Sequence, residues 1–93
     1  MRTRPLRSRR VAIHLAPAAG SPGAAFVVGR KVGGAVVRNR VRRVLREAWR
    51  RVLPRFVAPT DAVVRALPGI VGAGTEELAE EVEEMLTRAG VIE

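Results

Sequence analysis

Between Gly29 and Arg51 the chain sets a glycine pair, Gly33-Gly34, directly before a run that fits one long helix and carries seven arginines against a single acid, Glu47. At about 100° per residue, Val37, Val41, Val44, Leu45, Ala48 and Val52 fall in one arc, and arginines fill most of the remaining circumference. Such a helix must dock its apolar arc on another element and leave its flanks in water. Arg38, Arg42, Arg46 and Arg50 also repeat four residues apart, where like charges cost an isolated helix about 0.2–0.5 kcal/mol per pair. A sequence that accumulates this cost implies a polyanionic partner that offsets it.

Ninety-three residues make one small domain, expected to be marginal in stability because so short a chain buries only part of its surface. There is no cysteine, so neither disulfides nor thiolate metal sites contribute, and the single histidine, His14, cannot build a histidine metal site. No apolar run approaches the roughly 20 residues of a membrane-spanning helix. The basic start Met1-Arg2-Thr3-Arg4 lacks the apolar core of a secretory signal, so an intracellular, cytoplasmic protein without membrane partners is expected.

Charge is segregated along the chain. Residues 1–60 hold fifteen Lys/Arg and one acid, giving +14; residues 61–93 hold two Arg and eight acids, giving −6. A polycationic surface with an acidic end elsewhere points to nucleic acid. The aromatics are few: Phe26, Trp49 and Phe56. A sheet that stacks RNA bases needs paired aromatics on neighbouring strands, so binding here is expected to be led by backbone phosphates.

Residues 1–9 read as an unstructured basic arm and 10–90 as a single RNA-binding domain. Arg10 to Ala16 alternates as a strand, with Val11, Ile13 and Leu15 on one face and Ala12 and His14 on the other. Pro17 to Gly23 is a turn-rich connection. Ala25 to Gly29 reads as a second strand, antiparallel to the first if the connection is a hairpin. The basic helix runs from Gly33-Gly34 to about Leu53 and stops at Pro54. Ala62 to Leu67 reads as a third strand and Pro68 to Gly74 as a loop. Thr75 is placed as the cap of a last helix, with Glu76 and Glu77 in its first turn, a buried stripe of Leu78, Val82, Met85, Leu86 and Ala89, and Gly90 as its end. The order is β-β-α-β-α, an α+β domain.

These residues resemble a known family, the protein component of bacterial ribonuclease P. The family pattern is a strand ending in basic residues, a Lys-x-Gly-x-Ala-Val-x-Arg-Asn-Arg core, and further basic positions on the same helix. Lys31-Val32-Gly33-Gly34-Ala35-Val36-Val37-Arg38-Asn39-Arg40-Val41-Arg42-Arg43 fits it, and Arg46-Glu47-Ala48 continues it. The resemblance implies a small mixed sheet packed by the long basic helix and the acidic C-terminal helix, a ribosomal-protein-like domain with a left-handed βαβ crossover. It implies a partner RNA that performs catalysis with Mg2+, and hydrolysis of the phosphodiester joining the 5′ leader to a precursor tRNA. The protein would bind that leader beside the sheet and support the catalytic RNA. Carried over by position, Arg38, Asn39, Arg40, Arg42, Arg43 and Arg46 contact RNA, Arg30 and Lys31 lie next to them, and His14 faces the leader. Family members begin with an additional Lys/Arg-rich helix bearing phenylalanines, which Met1 to Arg9 does not supply. Sheet coverage is therefore expected to be incomplete, with apolar residues of the first strands partly exposed.

Several residues keep a second reading. His14 fits an ordinary half-exposed strand residue as well as a leader contact, and Trp49 fits a packing residue at the helix edge. Gly33-Gly34 fits a plain turn or a backbone approach to phosphate at the helix start. The six glutamates of the last helix fit a solvated face, or an acidic surface kept away from RNA. No nucleophile–base pair and no convergent carboxylates are visible, so no catalytic residue, metal ligand or small-molecule substrate is assigned to the protein itself. The competing function is a general or ribosomal-type RNA-binding protein without a role in tRNA processing. A helix-turn-helix DNA reader is disfavoured by a single long helix bounded by strands. A membrane-active helix is disfavoured by the small apolar arc.

Overall fold

In the computed structural model, which describes residues 4–93, the alternation Val11-Ala12-Ile13-His14-Leu15 forms a strand at the centre of a four-stranded sheet. The elements are β1 (Arg4–Arg7), β2 (Val11–Pro17), β3 (Ala24–Val27), α1 (Ala35–Val52), β4 (Thr60–Ala66) and α2 (Thr75–Ala89), with 3-10 turns at Leu53–Arg55 and Pro68–Ile70. The sheet order is β1-β2-β4-β3, antiparallel except where β3 runs parallel to β4. The expected order holds, with one strand added in front of it.

That added strand corrects the reading of residues 1–9 as an unstructured arm. Arg4–Arg7 pairs antiparallel with β2, setting Leu6 against Ile13 and Arg7 against Ala12. Only the remainder of the proposed arm, residues 1–3, lies outside the described residues. Pro5 is tolerated because β1 is an edge strand with one neighbour. The connection after β2 is not a hairpin, so the antiparallel pairing conditional on one does not form. The connection carries the chain past the place later taken by β4, so β3 pairs only with β4, and β3-α1-β4 is a parallel βαβ unit.

Register sorts the sheet into two faces, because directly paired residues share a side. Val11, Ile13, Ala62, Val64 and Ala66 point to the helices and are buried. Against them α1 packs Val41, Leu45, Ala48, Trp49 and Val52, and α2 packs Leu78, Ala79, Val82 and Leu86. Trp49 is a core residue: its ring meets Phe26 edge-on at 6.4 Å and lies 5.6 Å from Phe56. Coverage thins toward β1 as expected, where Leu6 and Leu15 are half-buried beside an apolar hollow of about 560 Å3 that Pro17, Pro59 and Val91 also line. Val11 and Ile13, by contrast, are fully buried.

Two expectations for α2 are corrected. The residue before the helix is Gly74, not Thr75; its N–H donates to Oε1 of Glu77 at 3.1 Å, so a first-turn carboxylate satisfies the helix entry. Ala89 is exposed rather than buried, because it faces the open apolar hollow beside β1; the helix ends one residue later at Gly90, in the left-handed region with φ 75°.

Glu77 also touches Arg10, and its carboxyl is held below the usual 4.5 by the Gly74 N–H first and Arg10 second. Glu76 is lowered by Arg51. A lowered folded-state value stabilises the fold above the unfolded-state value and ceases to as pH falls through the folded one. The expected result is a melting temperature flat from pH 7 to about 5 and falling below about pH 4.5. In Glu77→Gln that acid-side fall is shallower, which thermal melts against pH would read.

Candidate nucleic-acid interface

Gly33 decides how α1 is presented. Its φ of +157° is one that L side chains rarely adopt, and an added Cβ would lie 2.9 Å from Cγ1 of Val37. Just before it, the Val32 N–H donates to the Gly29 carbonyl at 3.1 Å and the Gly33 N–H to the Arg30 carbonyl at 3.2 Å. These successive turns put Arg30 and Lys31, both exposed, immediately ahead of the helix. Gly33→Ala is expected to cost about 1–3 kcal/mol, lowering the melting temperature by at least roughly 4 °C.

From that start, the helical repeat lays the arginines on two flanks. Arg38, Arg42 and Arg46 follow the flank where Trp49 meets Phe26 of β3. Arg40 follows the opposite flank, where Arg51 meets Glu76 of α2 at 2.8 Å. Asn39 and Arg43 lie on the crest between. Arg40, Arg43, Arg46 and Asn39 are exposed, while Arg38 and Arg42 are half-buried. Asn39 Oδ1 accepts from Nη1 of Arg42 at 3.4 Å, a contact within the ridge.

Among the described residues, none of Arg30, Lys31, Arg38, Arg40, Arg42, Arg43 and Arg46 forms an ion pair. Nε of Arg38 is buried without any acceptor. Holding such a group out of water unpaired costs free energy, which reorientation toward an incoming acceptor would relieve. The structure therefore sets all eight sequence-derived residues along α1 and the turn before it, seven of them cationic side chains without an ion pair among the described residues.

His14 lies apart from them. It sits half-buried on the sheet face that no helix covers, on β2, two strands in from the β3 edge. Register places it between Pro5 and Val63. The next row along the same face reads Arg7, Ala12, Arg65, Val27 across all four strands. Arg7 and Arg65 are exposed, have no ion pair among the described residues, and stand two strand spacings, about 10 Å, apart. Sequence reasoning passed over both. The alternation of Ala62, Val64 and Ala66 already turns Arg65 outward, whereas Arg7 had no signal because its segment read as an arm. The Arg38–Arg42–Arg46 flank and this open face both border β3, at the edge of the sheet.

The glutamates of α2 are not a freely solvated face. Glu77 and Glu81 bond Arg10 at 3.1 and 3.0 Å, Glu76 bonds Arg51, Glu83 bonds Arg55, and Glu84 reaches Arg88 at 3.1 Å. Ser8 also donates to Glu81. Among the described residues no three of His, Asp and Glu converge as a metal site requires. No described helix is long and apolar enough to cross a membrane.

Comparison with known proteins bears on this arrangement. The profile of the family described as Ribonuclease P matches residues 2–90. A ribonuclease P protein component from Acidothermus cellulolyticus is 52% identical over 67 residues, covering 72% of this chain and 56% of that protein. One from Symbiobacterium thermophilum is 40% identical over 92 residues, covering 97% of this chain and 80% of that protein. The solved structure of the Staphylococcus aureus RNase P protein shares the fold with a TM-score of 0.81 at 22% identity, covering 98% of this chain and 84% of that one. The chain spans about half the length of the first two curated relatives it matches, 56% and 46%.

Proposed function

This chain belongs to the ribonuclease P protein family, and on that premise we propose that it is the RNA-binding subunit of a ribonucleoprotein that removes the 5′ leader from precursor tRNA in the cytoplasm. One observation carries the reading. Among the described residues Arg38, Arg40, Arg42, Arg43 and Arg46 share no carboxylate, although five of the six glutamates of α2 pair with other arginines. Carboxylates pair with Arg10, Arg50, Arg51, Arg55 and Arg88 and leave a cationic ridge suited to phosphate.

In this reading the ridge, with Asn39, Arg30 and Lys31, holds the sugar–phosphate chain of the catalytic RNA, the electrostatic part of binding. The open sheet face holds the unpaired leader, with Arg7 and Arg65 on its phosphates and His14 offering the one aromatic ring among that face's described residues. The protein positions and the RNA performs the chemistry. Mg2+ takes oxygen ligands, which the guanidinium and imidazole groups of the ridge and the open face do not supply, so in this reading the RNA holds the ion.

The test is reconstitution with bacterial ribonuclease P RNA and a precursor tRNA at low magnesium. The expected result is faster leader removal than with RNA alone, together with binding to that RNA in preference to an unrelated RNA of equal length. Equal affinity for both RNAs, with no effect on cleavage, would favour a general RNA-binding role and overturn the assignment.

A further inference from the structure

The arginines of α1 divide sharply along its length. From Arg38 to Arg46 none has an acidic partner among the described residues; Arg50 lies 3.9 Å from Glu47, and Arg51 is bonded to Glu76 at 2.8 Å. One turn beyond, Arg55 is bonded to Glu83 and to the Glu93 carbonyl. Without those carboxylates unpaired cations would continue beyond the ridge, through Arg50 on the crest, Arg51 on the Arg40 flank, and Arg55. Phosphate spacing is uniform along any nucleic acid, so a longer row of cations accepts the same strand in more frames.

We propose that Glu76 is a specificity-determining residue that fixes where the RNA-binding ridge ends, by withholding Arg51 from phosphate and setting a negative charge at the boundary. The proposal rests on the RNA-binding reading above. A solvent-exposed ion pair is individually weak and a polyanion can compete for its arginine. The carboxylate itself therefore matters as much as the bond: wherever Arg51 turns, Glu76 stays beside any phosphate drawn there, with Glu80 and Glu83 farther along the same helix. The Arg51 guanidinium is raised by its bond to Glu76, and the Glu76 carboxyl is lowered by Arg51, so both are ionised near neutral pH. Glu76→Gln removes the charge at a position whose side chain is 79% exposed, so the fold is left in place.

The experiment measures affinity against salt concentration for the full chain and for Glu76→Gln, Arg51→Ala, the double variant and Arg42→Ala. The probes are bacterial ribonuclease P RNA and poly(U). Glu76→Gln is expected to steepen the log–log salt slope by about 0.7–0.9, one additional phosphate contact. It should also strengthen poly(U) binding at least twofold more than binding to ribonuclease P RNA. Arg51→Ala alone leaves the slope unchanged, and in the double variant it cancels the gain. An unchanged slope in Glu76→Gln, or a steeper slope that survives Arg51→Ala, overturns the proposal. Arg42→Ala tests the underlying reading separately: if it fails to flatten the slope, the ridge itself does not bind phosphate, whatever Glu76 does.

Discussion

Replacing Arg38, Arg42 and Arg46 together by glutamine is expected to weaken RNA binding about 100-fold or more near physiological salt. The estimate takes each charge-assisted contact at about 1.5–3 kcal/mol and discounts the sum, because neighbouring contacts do not add. The salt slope should flatten by roughly two to three units. Fold stability should move the other way. The three arginines take part in three like-charge pairs at four-residue spacing, counting Arg46 with Arg50, so their removal relieves about 0.6–1.5 kcal/mol, and glutamine is as good a helix former as arginine. Weaker binding with equal or higher thermal stability is a combination that a structural role for these residues would not produce. Salt-dependent binding and thermal melts on the same variant read both. An unchanged slope would remove this flank from the interface.

The second large effect is expected from Leu45→Ala, with the opposite signature. Leu45 is 1% exposed and lies where α1 meets the core of the sheet. Truncating a buried leucine costs about 2–5 kcal/mol through lost transfer energy and the cavity left behind. At about 0.05–0.15 kcal/mol per residue, a chain of this length has a total of roughly 5–14 kcal/mol. The melting temperature should fall by roughly 10–30 °C. Where the variant remains folded, its salt slope should equal that of the unaltered chain, since no surface charge has changed. A flattened slope at low temperature would show that the ridge depends on finer positioning by the core than the geometry suggests.

Much of this architecture was legible in residue order. The valine and leucine arc of α1, the alternation of Ala62 to Ala66 and the apolar stripe of α2 each carry a period that one conformation satisfies. What escaped detection was short or depended on distant partners. Arg4–Arg7 holds one aliphatic residue between arginines and a proline, so no period announces it; it is a strand because Leu6 finds Ile13. Val27 gives no hint that its neighbour is Arg65, thirty-eight residues on, rather than a residue of β2. The ridge was readable because its signal is local charge density. The pairing of α2's glutamates with Arg10, Arg51 and Arg55 was not, since it exists only once the helices pack.

Setting β4 between β2 and β3 has a consequence for how the chain comes into being. Neither earlier strand of that trio can close against its final neighbour until residues 60–66 arrive, by which time α1 has already been made. The most repulsive segment of the molecule is thus synthesised before the platform that will carry it. Long-range pairing of this kind slows folding, and a nearby ribonucleotide strand, by quieting the mutual repulsion of those side chains, should hasten it.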